Sequence, residues 1–312
     1  MGFLLFLLPV ALIAALVDSA SSDDTQDGSP DDTGDVQKGG SGNDDLEGDG
    51  GDDLLAGFGG DDTLTGAGGS DLLVGDTGDD VLEGGDGADL LLGGSGEDLL
   101  RGGEGTDLLI GGADEDRLQG EGGNDLLIDV TGSAEMDGGT GNDTLVGLAL
   151  RGDTARFEDV TQLEADAFLT EVEAQFGPQP AAFDRMLLRN VLPSSSQPSF
   201  DTMSGGAGDD VLIGDGGDVM TGGAGADVFS AVVPAAPLDP GDPAFGQVVR
   251  VADFNPAEDQ LEVQVASQGD VDVAVAERDQ GVMVTVDGSD VIFLPGLRAE
   301  QVNVADILVS RL

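Results

Sequence analysis

The sequence predicts an all-β protein: a parallel β-roll of about 16 nonapeptide units, with a helical insertion and a C-terminal β cap. Three observations predict it. A nine-residue unit, Gly-Gly-x-Gly-x-Asp-x-Leu-x, recurs in eleven near-perfect copies from residue 39 and passes through one decayed copy at 129–137. The formal net charge is −52, with a single lysine, Lys38. Outward-facing residues segregate by unit parity, apolar in even units and polar in odd ones.

Residues 2–17 (GFLLFLLPVALIAALV) carry no charge. The run is long enough for a signal-peptide core and barely long enough for a bilayer span. Residues 1–17 are therefore expected to be a signal or a membrane anchor, although no basic flank and no convincing Ala-x-Ala site accompany them. With no positive charge following the run, the acidic remainder is expected outside the membrane. Residues 18–38 are polar, acidic and poor in apolar side chains, and read as a disordered tether.

The roll is expected over 39–230. Glycines at positions one, two and four let the backbone reach positive φ and turn tightly, presenting carbonyl oxygens on one side. Position six adds a carboxylate. Position eight, Leu in every regular copy and Met136 in the decayed one, points away from its neighbours by strand alternation. A hard cation such as Ca2+ takes six to eight oxygens, carboxylate and carbonyl together, and a stack of such turns offers both. The candidate metal ligands are Asp44, Asp53, Asp62, Asp71, Asp80, Asp89, Asp98, Asp107, Asp116, Asp125, Asp143, Asp201, Asp210, Asp218 and Asp227.

Charge makes the metal necessary. Two carboxylates on adjacent strands, about 4.8 Å apart, repel by roughly 3 kcal/mol at an effective dielectric of 20. Repeated along a column, that rivals the whole stability of a domain, about 5–15 kcal/mol. Without cations the array is expected to be expanded and disordered, as acidic glycine-rich chains are. With them it is expected to fold.

The nonapeptide is the known calcium-binding repeat of RTX parallel β-rolls, so the unit is recognised here and not deduced. The chain resembles that family from 39 to 230. The resemblance implies multiple Ca2+ ions, each between turns of repeats two apart and bridged by their position-six aspartates.

Between 148 and 200 the repeats stop, then resume in frame. Asp201-Thr202-Met203-Ser204 completes the unit begun at Gly147, and further units start at Gly205, Gly214 (one residue short) and Gly222. The intervening stretch reads as an insertion in one turn of a continuous roll. It is helical in pattern. Thr161 and Glu164 form a capping box, and Leu163, Phe168, Val172 and Phe176 share a face before Gly177-Pro178. A second helix is expected over 181–192, with Phe183, Leu187 and Val191 spaced four apart.

Positions seven and nine face outward. In even units they are Leu54/Ala56, Leu72/Val74, Leu90/Leu92, Leu108/Ile110, Leu126/Ile128, Thr144/Val146 and Val211/Ile213. In odd units they include Asp45/Glu47, Thr63/Thr65, Val81/Glu83, Leu99/Arg101 and Arg117/Gln119. An apolar stripe roughly 30 Å long is too large to stay bare on a soluble monomer. It is expected to be covered by the insertion helices, a second copy, or a protein or polysaccharide partner.

Beyond 230, alternating segments at 260–265, 271–276 and 282–286 suggest short strands. The runs VADFNPAEDQLEV (251–263) and VNVADILV (302–309) resemble the C-terminal cap of RTX proteins. That resemblance implies that 231–312 close the roll and carry a type I export signal.

The chain has no Cys, His, Trp or Tyr. No disulfide framework, HExxH zinc site, Ser-His or Cys-His pair can be built, and no GxSxG elbow occurs. Nucleic acid is excluded as a partner by the charge. A pore-forming toxin would need long apolar helices and acylated lysines, which the chain lacks. The expected function is that of a non-enzymatic, exported calcium-binding protein with a surface, matrix or adhesion role, located outside the cell or on its surface. The alternative is a polysaccharide-active enzyme of epimerase or lyase type, or its binding module; an insertion of about fifty residues is small for a catalytic domain.

Overall fold

The computed structural model describes residues 34–129, 131–147, 200–233, 248–265 and 271–311. The helices expected at 161–176 and 181–192, and the apolar segment 1–17, lie outside them. Among the described residues no helix is long and apolar enough to cross a membrane.

Position eight organises the fold. Leu55, Leu64, Leu73, Leu82, Leu91, Leu100, Leu109, Leu118, Leu127, Met136, Leu145, Met203, Leu212 and Met220 are all buried in one continuous core. Each such side chain contributes about 1.5–3 kcal/mol by leaving water. Units pair with the second unit along, so Leu73 is in register with Leu55 and with Leu91, and Leu82 with Leu64 and with Leu100. Two parallel sheets result, one of even units and one of odd, facing each other across the leucines. The whole is a solenoid of about eight turns. It is the parallel β-roll that the periodicity predicts.

Most strands of the roll are longer than three residues. Leu108–Gly123 runs for 16 residues and Thr131–Thr140 for 10, because pairing continues through the superimposed turns. The glycines also divide their work differently from the expectation. Positive φ falls at positions two and four, as at Gly85 and Gly87, and stacking imposes it even on Phe58, Ala67, Asp76, Asp114 and Glu121. Position one has no positive φ. It is glycine for want of space: a methyl group on Gly84 would overlap the Oδ2 of Asp89 and crowd the Gly102 carbonyl oxygen at 2.7 Å.

Register survives the interval 148–199. Leu145 pairs with Leu212 and Met136 with Met203, just as Leu127 pairs with Leu145. Further on, Gln260–Val265 stacks on Val228–Val233 and carries Leu308–Arg311 on its other edge. Val249–Val251 stacks on Val219–Ala224 and pairs with Ser289–Pro295. From there an antiparallel meander runs back through Gly281–Val286 to Val273–Arg278.

The parity of the outer faces has a structural counterpart. On the even sheet Leu54, Leu72, Leu90, Leu92, Ile110, Ile128, Val146 and Ile213 are buried, in a second apolar cluster separate from the leucine core. Leu108, Leu126 and Val211 of the same face are partly buried, as are the equivalent Val81 and Leu99 on the odd sheet. Leu163, Phe168, Val172 and Phe176, the side chains expected to cover the even stripe, lie outside the described residues.

Candidate metal centre

Each position-six aspartate sits just before a strand, where the turn re-enters the sheet, and its two oxygens have different surroundings. Oδ1 accepts the main-chain N–H of the position-six residue one turn earlier. Along the even column the bonds run Asp53 to Asp71 (2.8 Å), Asp71 to Asp89 (2.8 Å), Asp89 to Asp107 (2.9 Å), Asp107 to Asp125 (2.9 Å) and Asp125 to Asp143 (2.9 Å). Asp143 then donates to Asp210 at 2.8 Å across a separation of 67 residues in place of the usual 18. Along the odd column they run Asp44 to Asp62, Asp62 to Asp80, Asp80 to Asp98 and Asp98 to Asp116 at 2.8–3.0 Å, and resume from Asp201 to Asp218 at 3.0 Å.

Oδ2 is the unusual atom. In Asp62, Asp71, Asp80, Asp89, Asp98, Asp107, Asp116, Asp125, Asp143 and Asp210 it is buried without any hydrogen-bond partner. It lies over the position-one glycine of its own unit and, in all of these but Asp62 and Asp116, the carbonyl oxygen of the position-one glycine two units on borders the same space, as with Asp89 Oδ2, Gly84 and the Gly102 carbonyl. Both atoms are acceptors, so they have no hydrogen to share between them. A cation bound between them, or a proton on the carboxyl, would satisfy both.

The carboxyl groups register that conflict. Burial pushes Asp71 and Asp143 up to about 7, Asp98 to about 7, and Asp107 and Asp116 to about 8, with neighbouring carboxylates adding to the effect. Asp80, Asp89, Asp125 and Asp210 rise to about 6 for the same first reason. Asp218, beside Asp201 and Asp215, rises furthest, to about 9. Hydrogen bonds from the ladder oppose the shift but do not cancel it, and no basic side chain contributes. The ion pair Arg117–Glu135 (3.5 Å) is exposed on the odd sheet.

Among the described residues no three acidic side chains converge on a point. A cation here would be held by aspartates from successive turns together with glycine carbonyls, a donor set of hard oxygens suited to Ca2+. At the ends of the columns the pattern relaxes. Oδ2 of Asp44, Asp53 and Asp218 accepts the N–H of Gly40 (2.7 Å), Asp49 (3.1 Å) and Asp215 (2.7 Å) respectively.

All fifteen position-six aspartates named from the sequence fall on these two columns. One rung was missed. The N–H of Asp227 donates to Oδ1 of Asp259 at 3.2 Å, and Oδ2 of Asp259 accepts from Asn255 at 2.7 Å. Nearby, Asp253 accepts from the N–H groups of Gly222 and Gly223, both at 3.0 Å. The signal was present: Asp259-Gln260-Leu261-Glu262 repeats positions six to nine with no glycine turn before it.

No curated protein matches the chain. Among solved structures it is similar to the extracellular lipase LipA from Serratia marcescens, with 16% identity and a TM-score of 0.27. The match covers 83% of this chain and 40% of that one, so the chain spans well under half of its length. The family model of the RTX calcium-binding nonapeptide repeat matches residues 38–73, 65–100, 101–128, 131–149 and 199–229. Those segments contain both aspartate columns as far as Asp227. With its repeats, its register and its paired carboxylate columns, this chain belongs to the RTX calcium-binding nonapeptide repeat family.

Proposed function

We propose that this chain is a non-enzymatic, exported calcium-binding protein whose roll folds as it takes up several Ca2+ ions. The observation that carries this reading is the row of ten buried Oδ2 atoms without partners, eight of them beside a glycine carbonyl. Such an array is unstable alone and stable with divalent cations. Asp44 through Asp227, in the two columns, are the ligands. The calcium requirement suits export: a chain kept unfolded where calcium is scarce would fold on reaching a calcium-rich exterior. Residues 231–312 would close the roll and carry the type I export signal, and the folded roll would serve a surface, matrix or adhesion role. Residues 1–17, if they anchor the chain, would hold it at that surface.

Catalysis has little to stand on. The chain has no His or Cys, and the buried position-six carboxylates are committed to the ladder. A polysaccharide-active role would be that of a binding module, with calcium bridging the acidic roll to an anionic sugar. The deciding experiment is calcium titration of the full chain after chelation, followed by far-UV circular dichroism and by counting bound ions. Cooperative gain of β signal with uptake of several Ca2+ supports the proposal. A chain that is fully β in chelator and takes up no calcium overturns it.

A further inference from the structure

The decayed unit, residues 129–137, breaks the motif at the two positions that every other unit keeps. Every other unit has glycine at position one and aspartate at position six; this one has Asp129 at position one and Ala134 at position six. The two changes are sterically linked. In the regular units the direction in which a position-one side chain would point is already occupied by Oδ2 of that unit's own aspartate, as at Gly111 with Asp116 and Gly120 with Asp125. Only one of the two positions can carry a side chain into that space. Where Ala134 vacates it from one side, Asp129 can enter from the other.

The structure places Asp129 accordingly. Its Cα is in register with Gly147, and its side chain is completely buried. One turn below stands Asp116, whose Oδ2 is buried and has no hydrogen-bond partner. One turn above, Asp201 accepts the main-chain N–H of Ala134 at 2.9 Å, so the backbone of the decayed unit still holds its place in the ladder. Asp129 is also the charge that most strongly raises the Asp116 carboxyl, after burial itself and ahead of Asp98.

We propose that Asp129 supplies, from position one, the carboxylate that position six lacks, so that the odd column stays a continuous divalent-cation array through the decayed repeat. This rests on the aspartate columns being cation sites. The exchange moves the Cα that bears the carboxylate and keeps the carboxylate in the column. What looks in sequence like a lost repeat is a rewired one, and Asp129 joins the ligands while Ala134 is the small residue that admits it.

The test counts Ca2+ ions per full-length chain by equilibrium dialysis at saturating calcium, with far-UV circular dichroism on the same samples. Asp129→Asn and Asp129→Gly are each expected to bind at least one ion fewer than the unsubstituted chain. Glycine occupies position one of every other unit, so Asp129→Gly tests the idea without asking the fold for anything new. Asp137→Asn, an exposed carboxylate of the same unit, is expected to bind the full number. The double variant Asp129→Gly/Ala134→Asp restores the regular motif and is expected to recover it. If Asp129→Asn and Asp129→Gly bind the full number while Asp89→Asn loses ions, Asp129 only fills space and the inference falls. If Asp89→Asn also binds the full number, the columns are not the cation sites and the underlying reading fails with it.

Discussion

The main-chain N–H of Asp107 donates to Oδ1 of Asp125, 2.9 Å away and one turn on, while Oδ2 of Asp125 is buried with no partner. Each carboxylate is thus divided. Along the middle of the columns one oxygen holds the stack together and the other is left without a hydrogen bond.

Asparagine and alanine should therefore act differently at these positions. Asp107→Asn keeps an acceptor for the Asp89 N–H and aims an NH2 donor at the glycine carbonyl. It should stabilise the chelated fold by about 1 kcal/mol, the usual net worth of a hydrogen bond, while weakening calcium binding. Asp107→Ala loses both functions. Urea unfolding with and without chelator separates the two, and equal behaviour would show that Oδ2 has no special role.

Calcium should drive a disorder-to-order transition of the whole roll. Among the described residues ten position-six aspartates have a buried Oδ2 without a partner, and the chain's net charge is −52. In chelator at pH 7.5 the far-UV spectrum should lose most of its β signal, and calcium should restore it cooperatively. Asp89→Ala, in mid-column, should shift the midpoint to at least about tenfold higher calcium, equivalent to ~1.4 kcal/mol.

Protons should substitute for calcium. Folded values near 7 for Asp71 and about 8 for Asp107 and Asp116 lie above the unfolded value of 3.8. Groups raised on folding contribute stability that is fully present below about pH 4 and is lost as pH rises through 6 to 8. Chelated protein should accordingly gain β structure between pH 8 and pH 4. A chelated chain that loses structure on acidification would contradict the direction of these shifts.

Two glycine exchanges should have opposite signs. Gly84→Ala puts a methyl group onto Asp89 Oδ2 and against the Gly102 carbonyl, and should lower both the melting temperature and calcium affinity. Ala67→Gly relieves a φ of 80° at an exposed position, and should stabilise by up to about 1 kcal/mol. Differential scanning calorimetry in saturating calcium reads both.

The buried even stripe should become accessible if residues 148–199 are replaced by a short glycine-rich turn. Register across the interval is intact without reference to those residues, so the roll should still form with calcium. Dye binding to exposed apolar surface should rise, and sedimentation should become concentration-dependent. Unchanged dye binding would show that the insertion is not the cover.

Much of this protein was legible in its residues. A period of nine with one Leu and one Asp per unit allows few structures: strand alternation sends the leucines to one core, and a two-unit turn sorts the aspartates into two columns. The in-frame return at Asp201 was readable for the same reason, since a stack tolerates extra chain only where register is kept.

Other features needed three dimensions. No sequence period distinguishes a glycine kept for its φ from one kept for its lack of a side chain; only the overlap with Asp89 Oδ2 separates Gly84 from Gly85. Asp259 joins the even column without a glycine turn, because a strand can enter the stack by any route that meets its neighbour's hydrogen bonds. Asp129 read as decay until position one and position six proved to point into the same space. The sequence by itself determined the repeat, its core and its ligand type, because these follow from local periodicity. The tertiary structure alone decided which carboxylate oxygens are satisfied and which are left without a hydrogen bond, because that depends on residues seventeen or more positions apart in the chain.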